Sequence, residues 1–259
     1  MGIVRRVAER LSRRVVLKRR LPREFGEAIA YVSPRAGGMR YWRFDMGTID
    51  PPLLRFAGRY VMPGMRVWDV GANLGLFTFA AAYRAGPSGK VLAIEPDADN
   101  ATLLLRTRRD MDRARYADVD ILVGAASAGG PRVARLAVAN RAAAANALLG
   151  FGTTQMGGTS EERAVLAIQL DELRDQYGEP DVMKIDVEGA EVEVLRGAHG
   201  VLSSARPTLF VEVADENAAA VSGILRPHGY RFFDVDANPS DPVETYLPRH
   251  NWLAIAERP

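Results

Sequence analysis

At Val67-Trp68-Asp69-Val70 an apolar run ends in Gly71-Ala72-Asn73-Leu74-Gly75 and passes straight into Leu76-Phe77-Thr78-Phe79-Ala80. A buried strand, a glycine turn and a helix in so few residues form the opening unit of an open parallel sheet. Strand and helix patterns then alternate to the end of the chain. Strands are expected at about 66–70, 90–94, 119–123, 182–186, 208–213, 230–235 and 251–256, and helices at about 74–84, 98–110, 169–177, 189–203 and 217–226. The expected fold is α/β, a doubly wound, seven-stranded, mostly parallel sheet of Rossmann-like type. A further strand pair at 132–138 and 164–168 flanks a loop, Asn140 to Ser160, rich in Gly, Ala and Thr. Pro51-Pro52 start one more helix over Leu53 to Tyr60, and Pro63-Gly64 stop it. With short alternating pieces at 30–32 and 39–44, residues 26–62 read as an N-terminal cap on a main domain over 63–259.

The 259 residues are enough for a full core without covalent staples. The absence of cysteine excludes disulfides, a thiol nucleophile and every Cys-ligated zinc or iron–sulfur centre. No apolar run reaches the roughly 18 residues of a membrane span. Arg10 to Arg20 interrupt any signal-peptide core, so the expected location is cytoplasmic. Lysine occurs only at 18, 90 and 184, and this general preference for arginine gives no sign of nucleic-acid binding. The distribution of charge says more. Residues 1–25 carry net +7, which leaves −5 for the rest. Ile3, Val7, Leu11 and Val15 recur at a near four-residue period, predicting a basic amphipathic helix over about 3–21. Such a head is either a solvated extension or a surface that docks on a partner or peripherally on an anionic inner membrane face.

The glycine turn spaces its glycines G-x-x-x-G, with Asp69 two residues before the first. A dinucleotide-binding turn needs G-x-G-x-x-G and an apolar residue where Asp69 stands, because an acid repels a pyrophosphate. A cationic cofactor without phosphate suits Asp69 instead. Glu95 ends the second strand, where an acid can accept both hydroxyls of a ribose. Lys184-Ile185-Asp186-Val187-Glu188-Gly189 delivers Asp186 and then Glu188 to the carboxyl edge of the sheet, where open α/β folds bind ligands.

These blocks, in order, carry a resemblance. Asp69-Val70-Gly71-Ala72-Asn73, Glu95-Pro96-Asp97, Lys184 to Glu191, Phe210-Val211-Glu212-Val213 and Asn251-Trp252-Leu253-Ala254 resemble the FkbM family of S-adenosylmethionine (SAM)-dependent methyltransferases. The likeness runs over about 60–256 and leaves residues 1–50 and the 140–160 loop uncovered. It implies a class I methyltransferase sheet with a last antiparallel strand, SAM as cofactor, and O-methylation of a small-molecule or glycan acceptor such as a sugar or secondary metabolite. By motif, Asp69, Gly71, Ala72, Asn73 and Gly75 would line the methionine moiety, Glu95 the ribose, and Asp186 would lie beside them. Gly124-Ala125-Ala126-Ser127 holds no acid for the adenine amino group.

An aliphatic hydroxyl needs a base or a metal to attack a methyl group at neutral pH. Asp186 leads the candidates for the base, with Glu188, Glu212 and His250 after it. The same three carboxylates offer oxygen ligands of the kind Mg²⁺ takes, although no fixed spacing demands a metal. His199 and His228, and the aromatic rings of Trp42, Phe44 and Trp68, fit structural positions better. The competing readings are an NAD(P) oxidoreductase and a catalytically inactive SAM-fold module at the membrane surface. The long 140–160 loop reads as a lid over the acceptor.

Overall fold

The computed structural model describes residues 15–34, 41, 45–139, 146–150, 159–235, 237–238, 241–248 and 250–256. In chain order the elements begin with strands β1 (Leu17–Arg20) and β2 (Ile29–Val32), then helix α1 (Pro51–Tyr60), β3 (Arg66–Val70), α2 (Leu76–Ala85), β4 (Lys90–Glu95), α3 (Ala98–Arg109) and β5 (Asp118–Val123). Next come β6 (Ala125–Ala126), β7 (Arg132–Ala139), β8 (Ala147–Leu148) and β9 (Thr159–Ile168), then a 3-10 turn Leu170–Leu173 that runs into α4 (Arg174–Tyr177). The chain closes with β10 (Val182–Ile185), α5 (Glu191–Arg196), α6 (His199–Ser204), β11 (Thr208–Glu212), α7 (Ala218–Leu225), β12 (Tyr230–Asp234), β13 (Val243–Thr245) and β14 (Asn251–Ala256).

The main sheet has the order β13-β12-β14-β11-β10-β3-β4-β5, and β11 through β5 run parallel while β14 is antiparallel to both neighbours. From β3 the chain winds outward to β5 and later returns to β10 on the other side. The strand order therefore reverses between β3 and β10, the crevice where such sheets bind ligands. One face packs against α1, α2 and Leu104 of α3, with Val67, Val91, Phe210 and Leu253 pointing that way. The other face, with Trp68, Ile94, Met183 and Trp252, packs against α5, α6 and α7. A separate four-stranded sheet, β6-β9-β7-β8, stands beside the end of β5. Among the described residues no helix is long and apolar enough to cross a membrane.

All seven expected strands form, and β13 adds an eighth to the sheet by pairing Val243 to Thr245 with the edge strand β12. The helix expected over 189–203 is broken in two at Gly197, where the chain passes so close to the Ser127 carbonyl oxygen that a Cβ would collide with it. His199 consequently opens α6. The 140–160 segment contains β8, and β9 starts at Thr159. Residues 140–145 and 151–158 of the expected lid, together with Trp42 and Phe44, lie outside the described residues.

The basic head departs most from its sequence pattern. Residues 1–14 lie outside the described residues, but Leu17–Arg20, at the end of the expected helix, is the strand β1, paired antiparallel from Leu17↔Val32 to Arg20↔Ile29. Burial follows a period of two, with Arg19 and Leu21 inside and Lys18 and Arg20 outside. Arg19 donates through Nε to the Tyr41 carbonyl at 3.2 Å, so strand pairing and a satisfied guanidinium override the four-residue spacing. Leu21 and Phe25 belong to the same apolar cluster as Phe56, Phe77 and Phe210. Leu21→Ala should therefore cost about 2–4 kcal/mol of stability in chemical denaturation, as for other buried leucines. A loss under about 1 kcal/mol would show that this segment contributes little to the core.

Candidate active site

The turn after β3 is shaped by two close approaches. Gly71 has φ +79°, and a Cβ on it would collide with the Asp186 carbonyl oxygen, so only glycine lets this turn cross the end of β10. Gly71 and Ala72 both donate their N–H groups to the Ile94 carbonyl, at 2.9 and 3.0 Å. Asn73, left-handed at φ +50°, then aims its N–H at Glu95 Oε2, 2.7 Å away. Gly75, at φ +83°, precedes α2 and packs against Phe79 and Leu104.

Beneath the turn lies a buried charge group. Asp69 is fully buried and accepts a hydrogen bond from the Thr78 hydroxyl at 2.5 Å. Its other oxygen is 3.3 Å from Lys184 Nζ, an ion pair without hydrogen-bond alignment. Lys184 Nζ is also 3.3 Å from Asp186 Oδ2 and donates to the Gly71 carbonyl at 2.5 Å. Burial opposes the charge on this lysine, but Asp69 and Asp186 outweigh it and hold the ammonium above its ordinary pKa.

Three further acids surround that group. Burial pushes the Glu95 carboxyl up to about 8, against the N–H donors of Asp97 (2.8 Å) and Asn73. Glu188, left-handed at φ +51°, is pushed up to about 8 by burial and then by the charges of Asp186 and Glu212. Glu212 rises to about 7 through burial and Asp186, while His250 opposes the shift. His250 Nε2 lies 2.9 Å from Glu212 Oε1, with the ring itself largely exposed. Glu191 turns away from the others. It accepts from the Gly189 N–H and the Asn217 side chain, both at 2.7 Å, and ties down the loop that carries Glu188.

These elements wall a cleft at the point where the strand order reverses. Gly71, Asn73, Glu95, Asp186 and Glu188 line one end of it. Asp69, Ala72 and Gly75 support the turn from behind without lining the cleft, and Glu212 and His250 stand outside it next to Asp186. The far end is small and apolar, with Ala125, Ala126, Leu136 and Leu148. Three acids and no arginine or lysine face the cleft among the described residues. Asp186, Glu188 and Glu212 do not converge as a metal site, and among the described residues no group of three or more His, Cys, Asp or Glu does.

Leu136, Asn146 and Leu148 had no signal in the sequence, since they reach the cleft from the separate small sheet. Asn146 donates to Asp97 Oδ2 at 2.8 Å and accepts from the Ala139 N–H at 2.9 Å. Arg163 on β9 bridges Asp97 and Asp99, each at 3.0 Å. Asp97 is also the N-cap of α3, so one buried carboxylate joins the small sheet to the end of β4.

A doubly wound sheet in this strand order, with an antiparallel strand beside β11 and an acid-lined cleft at its switch point, is the class I methyltransferase architecture. Residues 69–232 match the family described as the Methyltransferase FkbM domain, and the chain belongs to that family of SAM-dependent methyltransferases. It is 31% identical over 140 residues to the hexuronic acid methyltransferase AglP of Haloferax volcanii, covering 53% of this chain and 52% of that one. It is 27% identical over 255 residues to the antimetabolite synthetase AmbE of Pseudomonas aeruginosa, covering 78% of this chain and 12% of that one. The chain thus spans about half the length of the first relative and about an eighth of the second. A crystal structure of an FkbM methyltransferase from Methylobacillus flagellatus superposes with a TM-score of 0.49 at 17% identity, covering 79% of this chain and 52% of that one.

The acid cluster has a consequence for stability. Because Glu188 titrates near 8 when folded and near 4.5 when unfolded, the folded chain binds more protons between those values. Its contribution therefore makes stability fall as pH rises from about 4.5 to 8. Glu188→Gln removes that fall. Denaturation at the two ends of the window should show the variant gaining about 1–3 kcal/mol over the parent at pH 8 and almost nothing at pH 4.5. A gain independent of pH would disconnect Glu188 from the cluster.

Proposed function

We propose that this chain is an O-methyltransferase that uses SAM to methylate a hydroxyl of a sugar, glycan or related metabolite. The observation that carries this reading is the charge of the cleft. Three acids, with no arginine or lysine among the described lining residues, suit a ligand with ammonium and sulfonium charges and no phosphate, and disfavour a dinucleotide. The apolar far end suits a planar base, and the two ends lie on one continuous cleft. The relative named for a hexuronic acid supports a sugar as acceptor.

In this reading Glu95 takes the ribose hydroxyls, and the Asn73 and Asp97 N–H groups fix its carboxylate for that purpose. Gly71 and Asn73 face the methionine moiety. Ala125, Ala126 and Leu148 enclose the adenine, which explains why no acid is needed after β5. SAM, when bound, supplies an electrophilic methyl group. The chain's part is to align an acceptor oxygen with it and to remove the hydroxyl proton. Asp186 is the acceptor of that proton. Lys184 holds one of its oxygens, which fixes the carboxylate at the mouth of the cleft. The Glu212–His250 pair is electrostatically coupled to Asp186 and reaches solvent through the exposed imidazole, a route for the proton to leave. The basic residues before β1 are, in the same reading, an accessory to this chemistry that docks on an anionic surface.

Incubation with SAM and a panel of saccharides, read by mass spectrometry, should show the gain of one methylene on a hydroxyl-bearing acceptor. Asp186→Asn should lower turnover roughly tenfold or more while the protein stays folded. Turnover near the parent value would move the base to Glu188, Glu212 or His250. Glu95→Ala should weaken SAM by about 1.5–3 kcal/mol, the worth of hydrogen bonds to a charged group, and an unchanged dissociation constant would remove Glu95 from the cofactor site.

A further inference from the structure

A second groove runs along α1. Its walls are Arg55, Arg59 and Tyr60 of α1 and Val235 and Pro242 at the far side, with Leu253 as part of its floor. Sheet geometry connects this groove to the acid cluster. Phe210 and Glu212 are two residues apart on β11 and so project from the same face. Phe210 packs on Phe56 of α1, with ring centroids 5.1 Å apart, which makes that face the one α1 covers. Leu253 pairs with Phe210, and Asn251, two residues earlier on β14, pairs with Glu212. Asp50, the N-cap of α1, acts electrostatically on Glu212. Leu253 on the groove floor is thus two residues along β14 from the Asn251–Glu212 pair, and the groove leads away from that pair along the helix.

Its charge is opposite to that of the cofactor cleft. Arg55 and Arg59 lie one helical turn apart on an exposed stripe of α1, a helix with no acidic residue of its own. Arg55 has no carboxylate partner among the described residues. Among the described lining residues the acid is Glu24, on the turn before Phe25, and Asp241, next to the lining Pro242, acts electrostatically on Tyr60. Two guanidinium groups at this spacing can hold a carboxylate by paired N–H donors, which lysine could not do as well. Tyr60 stacks against Phe56 at 5.2 Å and offers ring surface beside them. At about 1.5 Å of rise per residue, Arg55 and Arg59 lie roughly 8 and 14 Å along the helix from Asp50.

Resting on the methyltransferase reading, we propose that this groove is the acceptor subsite and that it takes a carboxylated saccharide, with Arg55 and Arg59 binding the acid group. The reacting hydroxyl belongs to a sugar unit at the Glu212 end, and the carboxylate to the unit or units that lie along α1. Arg55 and Arg59 are then specificity-determining residues outside the cofactor cleft.

The test uses the full chain saturated with S-adenosylhomocysteine (SAH), followed by NMR of the arginine Nε–Hε groups during titration with a galacturonate trisaccharide or with maltotriose. The proposal expects saturable shifts of Arg55 and Arg59 with the galacturonate, at least tenfold weaker binding of maltotriose, and loss of the difference in Arg55→Glu/Arg59→Glu. SAH affinity should be the same in the double variant and the parent, which also reports that the variant is folded. Equal binding of the two saccharides, or no shift with either, overturns the assignment. A change of sedimentation mass in the double variant would make the groove a subunit interface and likewise overturn it. Failure of the parent chain to bind SAH would instead sink the methyltransferase reading itself.

Discussion

Lys184 sits inside the sheet between Asp69 on β3 and Asp186 just beyond β10, with the Gly71 carbonyl as its third partner. Burying Lys184 and Asp69 is costly unless each is paired, and removing one partner from such a pair typically costs about 3–5 kcal/mol. The arrangement is therefore rigid. It fixes the distance between the two central strands, the path of the glycine turn and the direction of the Asp186 carboxylate. The cleft at the switch point inherits its shape from this one cation, and Thr78 completes it by closing the remaining side of Asp69.

Around this core the face of the sheet that α1 covers is divided by charge. Acids gather where the cofactor would lie; burial pushes Glu95 up to about 8, and burial together with the charges of Asp186 and Glu212 does the same to Glu188. A cationic ligand relieves that repulsion, so part of the strain in the free protein becomes affinity. The arginines of α1 stand on the same face, on the far side of Glu212, where an anionic group would be repelled by the cleft and attracted by the helix. With the acceptor bound as proposed, the two surfaces would reject each other's ligands, which is specificity by repulsion as well as by attraction.

The parts of this design that were legible in the sequence are local. Gly71, Asn73, Glu95 and Asp186 announce themselves because each sits at a strand end, and strand ends are readable from apolar runs and glycines. Asp69 was equally visible, but its direction was not. Alternation along β3 puts it on the α2 face, where it meets Thr78 and Lys184 and lies behind the turn. Asn146 and Leu148 were invisible because they approach from a small sheet whose position depends on contacts between Asp97, Asn146 and Arg163, far apart in sequence. Leu17–Arg20 misled for the same kind of reason: an apolar spacing near four fits a helix, but pairing with β2 and the buried Arg19 decide the outcome. Arg55 and Arg59 gave no signal either, since exposed arginines on a helix look alike until a groove is seen beneath them.

The central claim is that this cleft accepts a cationic nucleoside without phosphate, held by Glu95, Glu188 and the Asp186 carboxylate that Lys184 keeps in place. Calorimetric titration of the full chain with SAH and, separately, with NAD⁺ tests it most directly. The account predicts one SAH bound per chain and no heat of binding from NAD⁺. Saturable binding of NAD⁺ with none for SAH would contradict it.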